Sequence, residues 1–185
     1  MTQALAIIPS EAEGDVIACE EGLSFWGGVD PATGQVIDAH HPLHGQTLAG
    51  AVLAIPTSRG SCTGSGVLLE LALNGHAPSA LAFRDAEDVL TLGALIAARL
   101  FGRTIPVLRL AGEDFAALAR SKRARVTATH LTAGLLTREL EPVGSQHLDL
   151  SDGDRAFLAG EGGEAPRVAM EILRAMAAQQ GATRL

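Results

Sequence analysis

The sequence predicts an α/β fold, with one mixed β/α domain over residues 1–142. Short apolar runs of strand length alternate with helix-period stretches between residues 49 and 129, and this alternation is typical of α/β sheets. The first sixty residues hold short strands and turns instead. Hydrophobic residues make up 47% of the chain and charged residues 19%, so the composition supports a buried core.

The N-terminal region is predicted to contain short strands joined by turns. Apolar runs indicate strands at Leu5–Ile8, Gly14–Ala18 and Val36–Asp38. The run Ala49–Ile55 has the length of a buried strand and ends at Pro56.

Helices and strands then alternate. The predicted helices are Val67–Asn74, which stops at Gly75, Ala86–Leu100, which Asp85 caps, and Glu113–Arg123. The predicted strands between and after them are Ser79–Phe83, Thr104–Leu110 and Arg125–Thr129.

The pattern changes after residue 142. Residues 143–147 are predicted to be a linker, and residues 148–185 are predicted to be a helical segment. A helix over Pro166–Gln180 carries an apolar stripe that needs a partner surface.

Charge and hydropathy exclude several classes of function. The net charge is −7, and no basic run exists beyond Arg120–Arg125, which argues against nucleic-acid binding. No apolar stretch approaches the roughly 20 residues that cross a bilayer, and no secretory signal is visible, so we expect a cytoplasmic protein. Cys19 and Cys62 are the only cysteines, too few to hold an iron–sulfur cluster alone.

The segment Pro56–Gly66 carries the clearest chemical signal. Its three glycines allow backbone N–H groups to approach an anion, and the following helix N-terminus favours negative charge. Its serine and threonine hydroxyls and the Arg59 guanidinium add further donors. The segment lacks the P-loop, dinucleotide-binding and nucleophile-elbow spacings. Composition alone leaves two interpretations open: an anion-binding loop, or an ordinary turn rich in serine and glycine.

Several segments together resemble the small swivelling domain of aconitase X over roughly residues 15–110. They are Phe25-Trp26-Gly27-Gly28-Val29-Asp30-Pro31-Ala32-Thr33-Gly34, His44-Gly45, Arg59-Gly60-Ser61 with Gly64-Ser65, and Asn74-Gly75-His76-Ala77-Pro78. The tail, from Leu148 to Leu173, is similar to the opening of the large aconitase X domain. The chain therefore resembles the fused bacterial form, cut off early in its second domain, whereas the archaeal form has two separate subunits.

The resemblance implies a fold, a reaction and a partner. The fold is a three-layer β/β/α swivelling domain as in aconitase, and the reaction is loss of water from a hydroxylated carboxylic acid. An iron–sulfur cluster, with ligands in the large domain and outside this segment, polarises the leaving hydroxyl. The implied substrate is cis-3-hydroxy-L-proline, giving Δ1-pyrroline-2-carboxylate, in the bacterial form and a phosphorylated mevalonate in the archaeal form. We expect the segment to be inactive without the large domain.

Ser61 matches the family's proton acceptor best, and Ser65 is the second candidate, with helix capping as its alternative role. Arg59 is expected either to stabilise the Ser61 alkoxide or to bind the substrate carboxylate. Asp30 is a candidate for substrate binding, with a turn role as its alternative. The remaining candidates for substrate binding are Gly60, Cys62, Thr63 and Gly64, although Cys62 also suits a packing role.

Two alternatives to an enzyme component remain open. The loop also suits a non-catalytic anion-binding or regulatory domain, and the chain also suits a structural subunit that completes the fold of another chain. His40, His41 and His44 are interpreted as surface histidines, because no carboxylate or cysteine accompanies them at metal-ligand spacing.

Overall fold

A computed structural model describes residues 4–143 of the chain. These residues form a mixed β-sheet and three α-helices. The strands are β1 Leu5–Ile8, β2 Ala12–Ala18, β3 Val52–Ile55, β4 Ala80–Phe83, β5 Val107–Arg109, β6 Arg123–Val126, β7 His130–Ala133, β8 Leu136–Glu139 and β9 Glu141–Pro142. The helices are α1 Gly64–Asn74, α2 Val89–Phe101 and α3 Gly112–Ala119.

The strands lie in the order β8-β7-β6-β2-β3-β4-β5-β1-β9. The central strands β2, β3, β4 and β5 pair in parallel. On one side β1 runs antiparallel to β5 and parallel to β9, and on the other β6, β7 and β8 continue from β2 as antiparallel strands. Helices α1 and α2 are the crossovers between the parallel strands β3, β4 and β5, as βαβ connections require.

Alternating side chains of the central strands fill two hydrophobic cores, because successive residues of a strand point to opposite faces. In β3, Leu53 and Ile55 lie in a core with residues of α1 and α2. Val52 and Ala54 lie in the other core, with residues of α3, β6 and β7. The predicted α/β fold class is therefore confirmed, with a mixed sheet and three helices. The predicted C-terminal helical segment lies outside the described residues.

Several predicted boundaries are wrong for identifiable reasons. Helix α2 begins at Val89 and not at Ala86, because the carboxylate that receives N–H groups of its first turn belongs to Glu87 and not to Asp85. The predicted strand at residues 36–38 is absent, since Val36 makes only a single bridge, with Val29.

The C-terminal strands of the sheet were not predicted. Residues of β8 alternate between half-buried and exposed, and both residues of β9 are exposed. Hydrophobic alternation, the main sequence signal of a strand, is therefore weak in both.

Candidate functional site

The segment Pro56–Gly66 connects the buried strand β3 to α1, at the carboxyl end of the parallel strands. In sheets of this type, ligands bind beyond the carboxyl ends of the strands. The start of the segment is held by residue 23, because Ser58 forms a bridge with Leu23 and the Arg59 N–H donates to the Leu23 carbonyl at 3.2 Å. The side chain of Ser58 also donates its hydroxyl proton to the Glu87 carboxylate, which links the segment to the start of α2.

Ser61 is exposed and lies just before α1. Its Oγ donates to the Thr63 hydroxyl at 3.0 Å and accepts the Thr63 backbone N–H at 3.2 Å. The hydroxyl is thus held by a single neighbouring residue and is accessible to a ligand.

Three successive backbone donors surround this serine. Within residues 4–143, the N–H groups of Gly60, Ser61 and Cys62 have no acceptor. The N–H groups at the start of α1 are occupied, since those of Gly64 and Ser65 donate to the carbonyls of Ser61 and Cys62 at 3.0 and 3.2 Å. The expected free donors therefore precede the helix and do not belong to its first turn. Adjacent free N–H groups at an exposed loop suit an anion.

Ser65 differs from Ser61 in burial and in partner. It is half-buried in the first turn of α1, and its hydroxyl donates to the Cys62 carbonyl at 2.8 Å. The capping role considered for Ser65 is wrong, because Thr63 holds the N-cap position of α1, without a side-chain capping bond.

Two glycine-containing segments meet at Ser24. Gly60 has φ +91°, and a Cβ placed there would lie 2.7 Å from Ser24 Oγ. A Cβ at Gly28 would overlap the Ser24 carbonyl oxygen. Both positions therefore require glycine, which brings residues 24–28 against the segment that contains Ser61.

Asp38, which the sequence analysis did not single out, forms an ion pair with Arg59. Arg59 Nη2 lies 3.3 Å from Asp38 Oδ2, and the His40 N–H donates to Asp38 Oδ1 at 3.0 Å. The His40 N–H is the largest cause of the lowered pKa of the Asp38 carboxyl. Desolvation is the next cause and opposes it, and the charge and hydrogen bond of Arg59 lower the pKa further. No local motif signals this pair, because 21 positions separate its members.

Asp30 lies at the other end of α1. Its carboxylate accepts the Thr33 hydroxyl at 2.7 Å and the Ala32 N–H at 3.0 Å, and these bonds lower its pKa. The adjacent Pro31 carbonyl accepts the side-chain amide of Asn74, the last residue of α1. A helix of 11 residues is about 16 Å long, so the structure does not bring Asp30 to Ser61, and its geometry is that of a turn residue.

A family model of the aconitase X swivel domain matches residues 1–134. The chain belongs to this family. The resemblance found in the motifs is confirmed.

Relatives of this swivel domain include a longer dehydratase and a small subunit. It is 47% identical to a cis-3-hydroxy-L-proline dehydratase of Hypocrea jecorina over 97% of this chain and 32% of that protein. It is 40% identical to the phosphomevalonate dehydratase small subunit of Thermococcus gammatolerans over 66% of this chain and 87% of that subunit. The crystal structure of Thermococcus kodakaraensis aconitase X in its holo-form superimposes with a TM-score of 0.58 at 35% identity, covering 69% of this chain and 91% of that one. The chain thus spans about a third of the length of this dehydratase.

The described residues of the swivel domain do not by themselves fit an iron–sulfur cluster, which commonly needs three or four thiolates. Cys19 is half-buried, and its Sγ accepts the Glu21 N–H, whereas Cys62 is exposed in the loop. Between residues 4 and 143 no three His, Cys, Asp or Glu side chains are grouped to hold a metal ion. No chemical step is therefore assigned to a cluster on these residues.

The three histidines differ in exposure. His40 and His44 lie on the surface as expected, but that expectation is wrong for His41, which is buried and accepts the Leu43 N–H on Nδ1 at 3.1 Å. In the described part of the chain, no helix combines the length and the apolar character needed to cross a membrane.

Proposed function

We propose that this chain is the swivelling component of a hydro-lyase and that Ser61 accepts the carbon-bound proton of a small hydroxylated carboxylic acid. The observation that carries the proposal is the exposed Ser61 hydroxyl beside the unpaired N–H groups of Gly60, Ser61 and Cys62. Relatives of the chain are named dehydratases.

A serine hydroxyl is a weak base, so the proposed step needs a stabilised alkoxide. Free N–H groups and the nearby guanidinium of Arg59 supply positive potential at Ser61 Oγ, and an enclosed site strengthens it. The alkoxide takes the proton from the carbon next to the carboxylate. The electron pair of that C–H bond forms the new carbon–carbon double bond, and the hydroxyl leaves the adjacent carbon as water after gaining a proton.

The loop residues are assigned to substrate binding. We place the substrate carboxylate against Arg59 and the free N–H groups from Gly60 to Cys62, and we assign supporting positions to Thr63, Gly64 and Ser65. Thr63 supports this assignment because it contacts Ser61 Oγ through both its hydroxyl and its N–H.

We propose cis-3-hydroxy-L-proline as the substrate and Δ1-pyrroline-2-carboxylate as the product. Elimination first gives the 2,3-enamine, which becomes this product when the ring nitrogen loses a proton, the C=N bond forms and the ring carbon that carried the hydroxyl gains a proton. The relative named for this substrate is 47% identical over 97% of the chain, whereas the phosphomevalonate dehydratase small subunit is 40% identical over 66%. A phosphorylated mevalonate is the second candidate, because adjacent free N–H groups bind a phosphate as well as a carboxylate.

The proposal includes a partner and a cofactor held elsewhere. The large catalytic domain, in the same polypeptide or in a separate chain, would close the site over Ser61, and an iron–sulfur cluster would have its ligands outside the described residues. A small-subunit name among the relatives supports the need for a partner. A cytoplasmic location and the absence of nucleic-acid or membrane partners complete the proposal.

The test compares the complete enzyme, prepared without oxygen, with its Ser61→Ala and Ser65→Ala variants on cis-3-hydroxy-L-proline. Loss of the proton acceptor is expected to lower kcat by about 100- to 10,000-fold, with cluster content unchanged. The Ser65→Ala variant is the comparison, and it is expected to lose far less activity than Ser61→Ala, because the Ser65 hydroxyl is bonded to the Cys62 carbonyl and holds only a supporting position.

Two results would overturn parts of the proposal. An active Ser61→Ala variant would place the proton acceptor elsewhere, and loss of activity in Ser65→Ala alone would identify Ser65 in its place. If the cluster-loaded wild-type enzyme leaves cis-3-hydroxy-L-proline unchanged, the proposed substrate is rejected. Turnover of a phosphorylated mevalonate would then support the second candidate.

A further inference from the structure

The carboxylate of Asp38 is held firmly next to the segment that contains Ser61. The N–H groups of Ile37 and Asp38 both donate to the Gly28 carbonyl, at 2.8 and 3.3 Å, and the His41 N–H donates to the Asp38 carbonyl at 3.1 Å. His41 itself is buried, with only 2% of its surface exposed. These bonds fix the Asp38 backbone, so the direction of its side chain is set before any ligand binds.

The pair that Asp38 forms with Arg59 is open to a ligand. The Arg59 side chain is 50% exposed and the Asp38 side chain 23% exposed. A guanidinium has five N–H donors and a carboxylate has about four acceptor positions, so one contact at 3.3 Å leaves most of both groups available. Exposed pairs of this kind add little to fold stability, so the contact with Arg59 can open at little cost when a ligand binds.

The two charges differ in sign and are adjacent, which is the charge pattern of an amino acid. The carboxylate and the ring ammonium of a proline derivative are attached to the same carbon, so they too are opposite charges close together. A site that bound only a carboxylate would gain from Arg59 alone, and a neighbouring Asp38 would weaken the attraction.

We propose that Asp38 binds the ring ammonium of the substrate while Arg59 binds its carboxylate, so that the pair selects a zwitterionic amino acid; this assignment rests on the proposed function. Asp38 is then a specificity residue for the substrate. An anion without an ammonium group competes with Asp38 for Arg59 and brings no positive charge in exchange, so it binds less well.

The test measures binding, so it does not depend on turnover. L-Proline and cyclopentanecarboxylate have the same ring size and carboxylate, but only L-proline has the ammonium. Titration calorimetry on the complete enzyme is expected to show L-proline binding at least about tenfold more tightly, as one charge-assisted hydrogen bond allows. In Asp38→Asn this preference is expected to disappear, mainly through weaker binding of L-proline.

Asp30→Asn is the matched control, because Asp30 is also an aspartate with a lowered pKa in a tight turn but lies at the other end of α1. It is expected to keep the wild-type preference. The Asn side chain can still accept the His40 N–H, so Asp38→Asn is expected to unfold at the wild-type denaturant midpoint, and Asp38→Glu is expected to restore part of the preference.

The outcomes separate this inference from the proposed function. An Asp38→Asn enzyme that keeps the full preference for L-proline overturns the inference, even when the wild type dehydrates cis-3-hydroxy-L-proline. A wild-type enzyme with no preference for L-proline overturns it as well. A preference that Asp38→Asn abolishes in an enzyme unable to dehydrate hydroxyproline supports the role of Asp38 and rejects the proposed reaction.

Discussion

Ser61 and Ser65 lie on one short segment but have different environments. Ser61 is exposed beside unpaired N–H groups, whereas Ser65 is half-buried and donates to the Cys62 carbonyl. The sequence placed both serines before the helix predicted at Val67–Asn74 and ranked Ser61 first by its match to the family motif, but it did not show that their hydroxyls differ in exposure. The difference depends on where α1 begins, since a start at Gly64 puts Ser65 inside the helix.

Arg59 contributes to the lowered pKa of Asp38. We expect Arg59→Met to raise the Asp38 pKa only part of the way to its ordinary value, because the largest cause of the lowering, the His40 N–H, remains. A lowered folded-state pKa stabilises the fold above the unfolded pKa of about 3.9, and this contribution is lost as the pH falls through the folded value.

Carbon-detected NMR titration of the Asp38 carboxyl in the 185-residue chain measures this shift. Arg99→Met is the control, because Arg99 lies exposed near the end of α2 and is expected to leave the Asp38 pKa unchanged. An Asp38 pKa that does not move in Arg59→Met would contradict the ion pair.

Helices α1 and α2 approach each other closely where the site begins. A Cβ at Gly93 would lie 2.6 Å from the Ser65 carbonyl oxygen and 3.1 Å from the Ser65 Cα, both backbone atoms. Backbone cannot move aside as a flexible side chain can, so Gly93 fixes the distance between α2 and the first turn of α1. The position of the loop therefore depends on a glycine one helix away.

Gly93→Ala is expected to destabilise the fold by about 1–3 kcal/mol through overpacking. Gly66→Ala is the matched control, because a Cβ at Gly66 in α1 meets no atom within 4 Å, and alanine favours a helix over glycine by up to about 1 kcal/mol. Urea unfolding of both variants gives the comparison. Equal free energies of unfolding for Gly93→Ala and Gly66→Ala would show that α1 and α2 can move apart without destabilising the fold.

Helix ends were predicted well where glycine determines them and poorly where a side chain does. Gly75 ends α1 as expected, with φ 77° and its N–H bonded to the Leu71 carbonyl. The start of α2 was misplaced because the Glu87 carboxylate reaches forward to Leu90 and Thr91. A positive φ is a local property of one residue, whereas a capping contact depends on how the chain enters the helix.

For the molecule as a whole, the sequence predicted the α/β class and the βαβ core but not the order of strands. Strands β3, β4 and β5 follow from alternation along the chain, because crossover helices join neighbouring parallel strands. The positions of β1 and β6 depend on pairing between distant segments, such as Leu5 with Arg109 and Ala12 with Val126. In the candidate site, the sequence identified the loop residues. It missed Asp38, because Asp38 and its partner Arg59 are also far apart in the sequence.

The C-terminal strands are expected to be essential for the stability of the unit, although the family match ends at residue 134. Arg138 on β8 pairs with Asp114, which is 2% exposed, and the Val143 N–H donates to the Ala6 carbonyl at 3.0 Å. A chain ending at Val143 is expected to unfold in one cooperative transition. A chain ending at Gly134 leaves Asp114 buried without its partner, and its free energy of unfolding is expected to fall by about 3–5 kcal/mol or more.

Guanidinium unfolding of the two shortened chains measures the difference. Arg138→Met in the chain that ends at Val143 removes the ion pair but keeps both strands. Its unfolding midpoint is expected to lie between those of the two shortened chains. Equal unfolding midpoints for the chains ending at Gly134 and Val143 would show that β8 and β9 are dispensable.

The position of β1 in the sheet also affects how the protein folds during its synthesis. β1 lies between β5 and β9 in the sheet, so it leaves the ribosome well before the segments with which it pairs, residues 107–109 and 141–142. Until then its N–H and C=O groups have no partner strand, and an unpaired strand is open to association with other chains. Newly made chains are therefore expected to be most open to aggregation while α1 and α2 are being synthesised.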